Sequence, residues 1–174
     1  MSAIFKNYDI KSAIKLNRIL IIVLLVAAVG FALSSKDTTQ VNVMSPGMII
    51  QLGNSTNETS ITFQLQGTYT KGIVSGSVFS GKIYIDGNVY ICSKSKANKE
   101  FGAIVTQIKE GKTETYGNLF FDDDFSQFAV LTNGWNNESG IMIIAPATNR
   151  IEALDISNII LESFLESNAI NPLN

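Results

Sequence analysis

Lys82–Cys92 reads KIYIDGNVYIC, two runs of β-branched and aromatic residues on either side of Asp86-Gly87. Such runs suit a pleated, half-buried surface, and an Asp-Gly pair between them supplies the positive φ that a hairpin turn needs. The stretch predicts an antiparallel hairpin. Two turn geometries compete. A three-residue loop with Gly87 left-handed sets Ile83 against Val89 and Gly81 against Ile91, with Tyr84 and Tyr90 sharing the other face. A two-residue turn splits the aliphatics across both faces, so collecting them in one core favours the bulged loop.

The period of two extends outward from this hairpin. Upstream, Ile61, Phe63 and Leu65 alternate with Thr62, Gln64 and Gln66, the pattern of a strand with one dry face and one wet one. Further upstream, Val41–Leu52 holds two short apolar pieces around a Pro46-Gly47 turn, and Asn54–Thr59 reads as a polar loop. Downstream, Phe101–Lys109 and Lys112–Phe121 flank Glu110-Gly111 as a second hairpin, and Phe125–Leu131 and Ile141–Ala145 continue the series. Past Pro146, Asn149 precedes Glu152 by three residues, a capping pair. Leu154, Ile156, Ile159, Ile160, Leu161, Phe164 and Leu165 then recur at helical spacing, which predicts a helix from about Arg150 to Ser167 with an interruption near Asp155. The expected fold is mainly β, an antiparallel meander forming a sandwich or partly open barrel, with a C-terminal helix and an N-terminal transmembrane helix.

That first helix rests on Ile19–Leu33, ILIIVLLVAAVGFAL, which carries no charge. With its flanks it reaches about twenty residues, enough for a hydrocarbon core of about 30 Å. Lys6, Lys11, Lys15 and Arg18 stand before it against the single acid Asp9, while Lys36 and Asp37 cancel after it. This asymmetry predicts a retained anchor with its N-terminus in the cytoplasm and the rest of the chain outside; a cleaved signal peptide ending near Gly30-Phe31-Ala32 is the alternative. The expected division is residues 1–18 as a cytoplasmic basic segment, 19–35 as the transmembrane core, 36–58 as a tether with first short strands, and 59–174 as the extracytoplasmic domain. A lipid bilayer is then one partner. The order of an apolar helix before a β domain is similar to that of type IV pilins, but the run contains no glutamate and no leader glycine precedes it.

Composition removes several chemistries. The chain has no histidine, which excludes imidazole-based nucleophilic catalysis and zinc sites built on imidazole. Its one cysteine, Cys92, cannot form an internal disulfide and belongs to the core. After Arg18 there are fourteen Asp and Glu against nine Lys and Arg, so nucleic acid is not an expected partner. No cofactor is implied.

The remaining candidates lie in polar loops. Trp135 sits in TNGWNNESG with Asn136 and Asn137, where an indole anchors a protein, peptide or glycan contact or caps the end of the sheet. Lys94 and Lys96, with Lys99, form the one basic cluster beyond the anchor, either an anion contact or a solvated loop. Asp122, Asp123 and Asp124 offer oxygen ligands to a hard cation such as calcium, although adjacent acids do not reproduce a spaced calcium loop. The expectation is a membrane-anchored, non-enzymatic binding or assembly module with a membrane or cell-surface protein as partner. The alternative is an exported hydrolase, using a carboxylate pair drawn from Glu110, Glu114, Asp122, Asp124 and Asp155, or Lys82 with Ser77 or Ser80.

Overall fold

The computed structural model describes residues 17–18, 20–26, 30, 36–72 and 76–174. Most of the basic segment before Ile19, and seven of the fifteen positions of Ile19–Leu33, lie outside the described residues. Leu20–Val26 are helical and exposed. Among the described residues no helix is long and apolar enough to cross a membrane.

Eight strands follow: β1 Lys36–Gln51, β2 Asn54–Gly72, β3 Val78–Ile85, β4 Asn88–Lys96, β5 Ala103–Lys109, β6 Lys112–Phe121, β7 Phe128–Thr132 and β8 Ile141–Ala145. Each pairs antiparallel with the next, and β8 returns to β1 through Met48↔Ile144 to Gln51↔Ile141, so the meander closes into a barrel. The sandwich and the partly open barrel are thereby replaced by a closed one. Inward side chains from all eight strands fill it, among them Val41, Phe63, Leu65, Phe79, Ile83, Cys92, Val105, Leu119, Phe128 and Ile143. Phe63 and Phe128 stack at 5.2 Å between ring centroids.

A second core lies outside the wall. Met48, Ile50, Phe120, Ala129, Leu131, Met142 and Ile144 face outward and are covered by Ala153, Ile160, Leu161 and Leu165. These come from two helices, α1 Arg150–Ile160 and α2 Glu162–Ser167, that part at Leu161 and not near Asp155. The step at Leu161 lets Ile160, Leu161 and Leu165 all enter the outer core. Asn149 Oδ1 accepts from the Glu152 amide at 3.0 Å, as the capping pair predicts. The Glu152 carboxylate reaches one residue further back, to the Thr148 amide and hydroxyl at 2.9 and 2.8 Å. β7 and β8, buried on both faces, carry almost unbroken apolar runs, FAVLT and IMIIA.

Three local expectations are corrected. The β3–β4 hairpin pairs Ile85↔Asn88, Tyr84↔Val89 and Ile83↔Tyr90, a two-residue turn with both Asp86 (φ 46°) and Gly87 (φ 82°) left-handed. That geometry matches the twist of the paired strands. Tyr90 and Cys92 share the interior face with Ile83 and Ile85 while Val89 stays out, so the core takes an aromatic and a thiol where an aliphatic was expected. Asp86 also fastens the turn to β2, its carboxylate accepting from the Thr62 amide at 2.9 Å. Second, β1 runs unbroken through Pro46-Gly47, where the sequence suggested a turn. Pro46 stands just past the end of β8, where no ladder bond needs its missing N–H, and its carbonyl accepts from the Ala147 amide at 3.3 Å. Third, Asn54–Thr59 opens β2 and is not a loop.

Candidate functional site: the groove on β4 and β5

The β4–β5 seam differs from its neighbours. Among the described residues β3–β4 and β5–β6 each align over seven positions, whereas β4 and β5 share one, Ile91↔Thr106. Side-chain hydroxyls bridge the seam: Ser95 Oγ accepts from the Ile104 amide at 2.5 Å, and Thr106 Oγ1 donates to the Ile91 carbonyl at 3.0 Å. A groove of about 550 Å³ opens there, bounded by Ser93, Ser95, Lys96, Asn98, Phe101, Ile104, Thr106 and Asn118, within the roughly 300–1,000 Å³ range of ligand sites.

The loop between these strands presents an aromatic ring to solvent. Asn98 Oδ1 accepts from the Phe101 amide at 2.7 Å, and the Asn98 carbonyl accepts from Gly102 at 2.9 Å. Asn118 Nδ2 donates to the Phe101 carbonyl at 2.6 Å. Gly102 has φ 65°, and a Cβ there would come within 2.8 Å of the Leu119 carbonyl oxygen and 3.0 Å of the Phe120 ring. Held on these four points, Phe101 is 64% exposed. Ile104 at 52% and Ile108 at 67% continue the apolar surface along β5, with Val89 exposed on β4. Among the described residues the groove lining contains one lysine and no acid, on a chain whose acids outnumber its bases.

Of the residues singled out by sequence, Lys96 lines this groove and is exposed. Lys94 lies on the same strand, in β4. Lys99 pairs with Asp123 at 3.5 Å between two exposed side chains, a contact worth little in water. Trp135 lies elsewhere, in the β7–β8 loop at the other end of the strands. Its ring packs at 5.7 Å from Phe164, which meets Phe120 at 5.4 Å, and its Nε1 is sealed from solvent without a hydrogen-bond partner. Trp135 thus covers the helix–barrel junction. Asn136 Oδ1 accepts from the Glu138 amide and the Ser139 amide and hydroxyl at 2.8–3.2 Å, closing the loop, while Asn137 is exposed beside it.

Asp122 and Asp124 organise the β6–β7 turn. Asp122 accepts from the Ser126 amide and hydroxyl and the Gln127 amide at 2.5–3.1 Å, and Asp124 accepts from Ser126 at 3.0 Å. The Ser126 hydroxyl, then Asp122, hold the Asp124 carboxyl below the usual range. Among the described residues no three His, Cys, Asp or Glu side chains converge as a metal site. Glu110, Glu114 and Asp155 occupy the β5–β6 turn, β6 and α1, and all three are exposed. Burial pushes the Cys92 thiol up to about 12, so it is not a nucleophile at neutral pH.

Sequence reasoning missed Phe101 because it was absorbed into a strand that begins only at Ala103. The signal was present in Asn98-Lys99-Glu100-Phe101-Gly102, where an Asn three residues before an aromatic and a Gly after it favour a tight turn. No family model, no curated protein and no solved structure matches this chain.

Proposed function

We propose that the chain is a membrane-anchored, non-enzymatic binding module that recognises an extended protein segment through the β4–β5 groove. The observation that carries this reading is Phe101, solvent-exposed on a turn fixed by Asn98 and Asn118 beside an open groove. With the backbone of the turn already fixed, binding orders only the ring's two side-chain torsions, a low entropic cost for an aromatic anchor. Ile104 and Ile108 stand two pleats apart on one face of β5, suited to alternate side chains of an extended ligand. Lys96, the one charged residue of the lining among those described, favours a ligand with a carboxylate near one end. The anchor is supported by the uncharged Ile19–Leu33 run and the basic residues before it.

The test is selection from a random peptide display library against the full chain in lipid nanodiscs. Peptides with apolar residues at alternate positions and an acid should be enriched, and their affinity should fall at least about tenfold, roughly 1.4 kcal/mol, with Phe101→Ala. Enrichment that is indifferent to Phe101 and Lys96 would sink the reading.

A further inference from the structure

β1 carries an open edge that the barrel does not use. The Leu52 amide donates to the Gly140 carbonyl and the Pro46 carbonyl accepts from Ala147, so even-numbered residues of β1 direct their backbone groups away from β2 and toward β8. N–H and C=O of one residue in an antiparallel strand point the same way and alternate along the chain. Side-chain hydrogen bonds across to β2 join Thr38 to Thr70, Gln40 to Thr68, Met48 to Ser60 and Gln51 to Asn57, the same offset near both ends of β1. The matching offset carries the alternation back along β1, so the backbone groups of Thr38, Gln40, Asn42 and Met44 point away from β2. β8 pairs with β1 only from Met48 to Gln51, and among the described residues no strand lies alongside β1 before that.

Edges of this length are usually blunted by charge, proline or a bulge, since an unpaired row of amides and carbonyls templates another strand. Between Asp37 and Pro46 this one has none of these: Thr38–Ser45 reads TTQVNVMS. Its outward side chains Thr38, Gln40, Asn42 and Met44 are exposed, and Val41 is buried in the barrel core.

We propose that this edge is a self-association surface, on which β1 of a second copy adds antiparallel about a two-fold axis near Val41. A second copy is the occupant because the stretch complements itself. Two-fold pairing sets Gln40 opposite Asn42 of the other copy on both sides of the axis, and side-chain amides carry both donors and acceptors. Gln40 Oε1 already accepts from Thr68 at 3.2 Å, which leaves its N–H donors for the facing Asn42. The stretch carries no charge, so pairing two copies along it sets no like charges against each other. The inference is independent of the β4–β5 groove.

The experiment uses the full chain in detergent, with sedimentation equilibrium on the wild type, on Q40K/N42K and on Q40E/N42E, circular dichroism confirming that each folds. The expected result is a wild-type dimer, dissociation at least about tenfold easier in each variant alone, and dimers restored on mixing the two variants, since opposite charges then face one another. A monomeric wild type would overturn the proposal. So would variants that associate as tightly as the wild type, which would place the contact on another surface, or a mixture that fails to re-form dimers.

Discussion

Ser95 Oγ lies 2.5 Å from the Ile104 amide nitrogen and accepts its hydrogen, so a side chain occupies the place in the β4–β5 ladder that a carbonyl would fill. Ser95 is 8% exposed. Ser95→Ala leaves the Ile104 N–H without this acceptor and should cost about 1–3 kcal/mol in urea unfolding. Even in the wild type, amides along β4–β5 should exchange with deuterium before those of β3–β4 and β5–β6, because opening this seam breaks fewer bonds. Equal protection across the three seams would contradict this.

Gly102→Ala should destabilise by more than about 1 kcal/mol. The substitution places a Cβ against the Leu119 carbonyl at a residue with φ 65°. Because the same turn holds Phe101, peptide affinity should fall with stability, whereas Phe101→Ala should lower affinity with little change in thermal midpoint. Calorimetry and peptide titration on both variants separate the two effects.

Trp135→Phe and Trp135→Ala should differ sharply. The indole Nε1 has no partner to lose, and a phenyl ring can keep the edge contact with Phe164. Phe should therefore cost less than about 1 kcal/mol, while Ala leaves a void at the helix junction and should cost about 2–3 kcal/mol. As Trp135 is the single tryptophan, its emission in the native wild type should be blue-shifted and should report loss of the helix–barrel contact directly.

Cys92 should resist iodoacetamide in the folded protein and react fully in guanidinium. Its thiol rises from an ordinary 9.0 to about 12 through burial. The folded state holds this proton more tightly than the unfolded one, so the associated stability is complete below about pH 9 and is lost as pH rises from there toward 12. A Cys92→Ala chain, measured alongside by urea unfolding, should lack that part of the alkaline decline.

Much of this fold is legible in local pattern. Glu110-Gly111 forms the expected hairpin turn, and Asn149 with Glu152 caps the expected helix, because each depends on residues a few positions apart. What was not legible depends on distant partners. The two-residue turn at Asp86-Gly87 could not be chosen without knowing that the core takes Tyr90, and the continuity of β1 through Pro46 depends on where β8 ends. The groove is illegible for the same reason: Ser95 and Thr106 read as ordinary polar strand residues, and only the fold sets them across a seam with a single aligned pair. Trp135 attracted attention by its polar neighbours, yet its surroundings were decided by Phe164, close in space and far along the chain.

Closure of the barrel has a consequence in time. Met48 pairs with Ile144, 144 − 48 = 96 positions later, so β1 leaves the ribosome well before the strand that closes on it. At roughly 5–20 residues per second the interval is several seconds, long against the microseconds in which a hairpin forms. During that interval the β1–β2 hairpin lacks its closing partner, and Met48 and Ile50 have neither β8 nor the helices over them. The nascent chain is thus at its stickiest before Ile141–Ala145 emerge, which makes it a natural client for a holding chaperone, and a stop codon placed before β8 should yield aggregate in place of a smaller barrel.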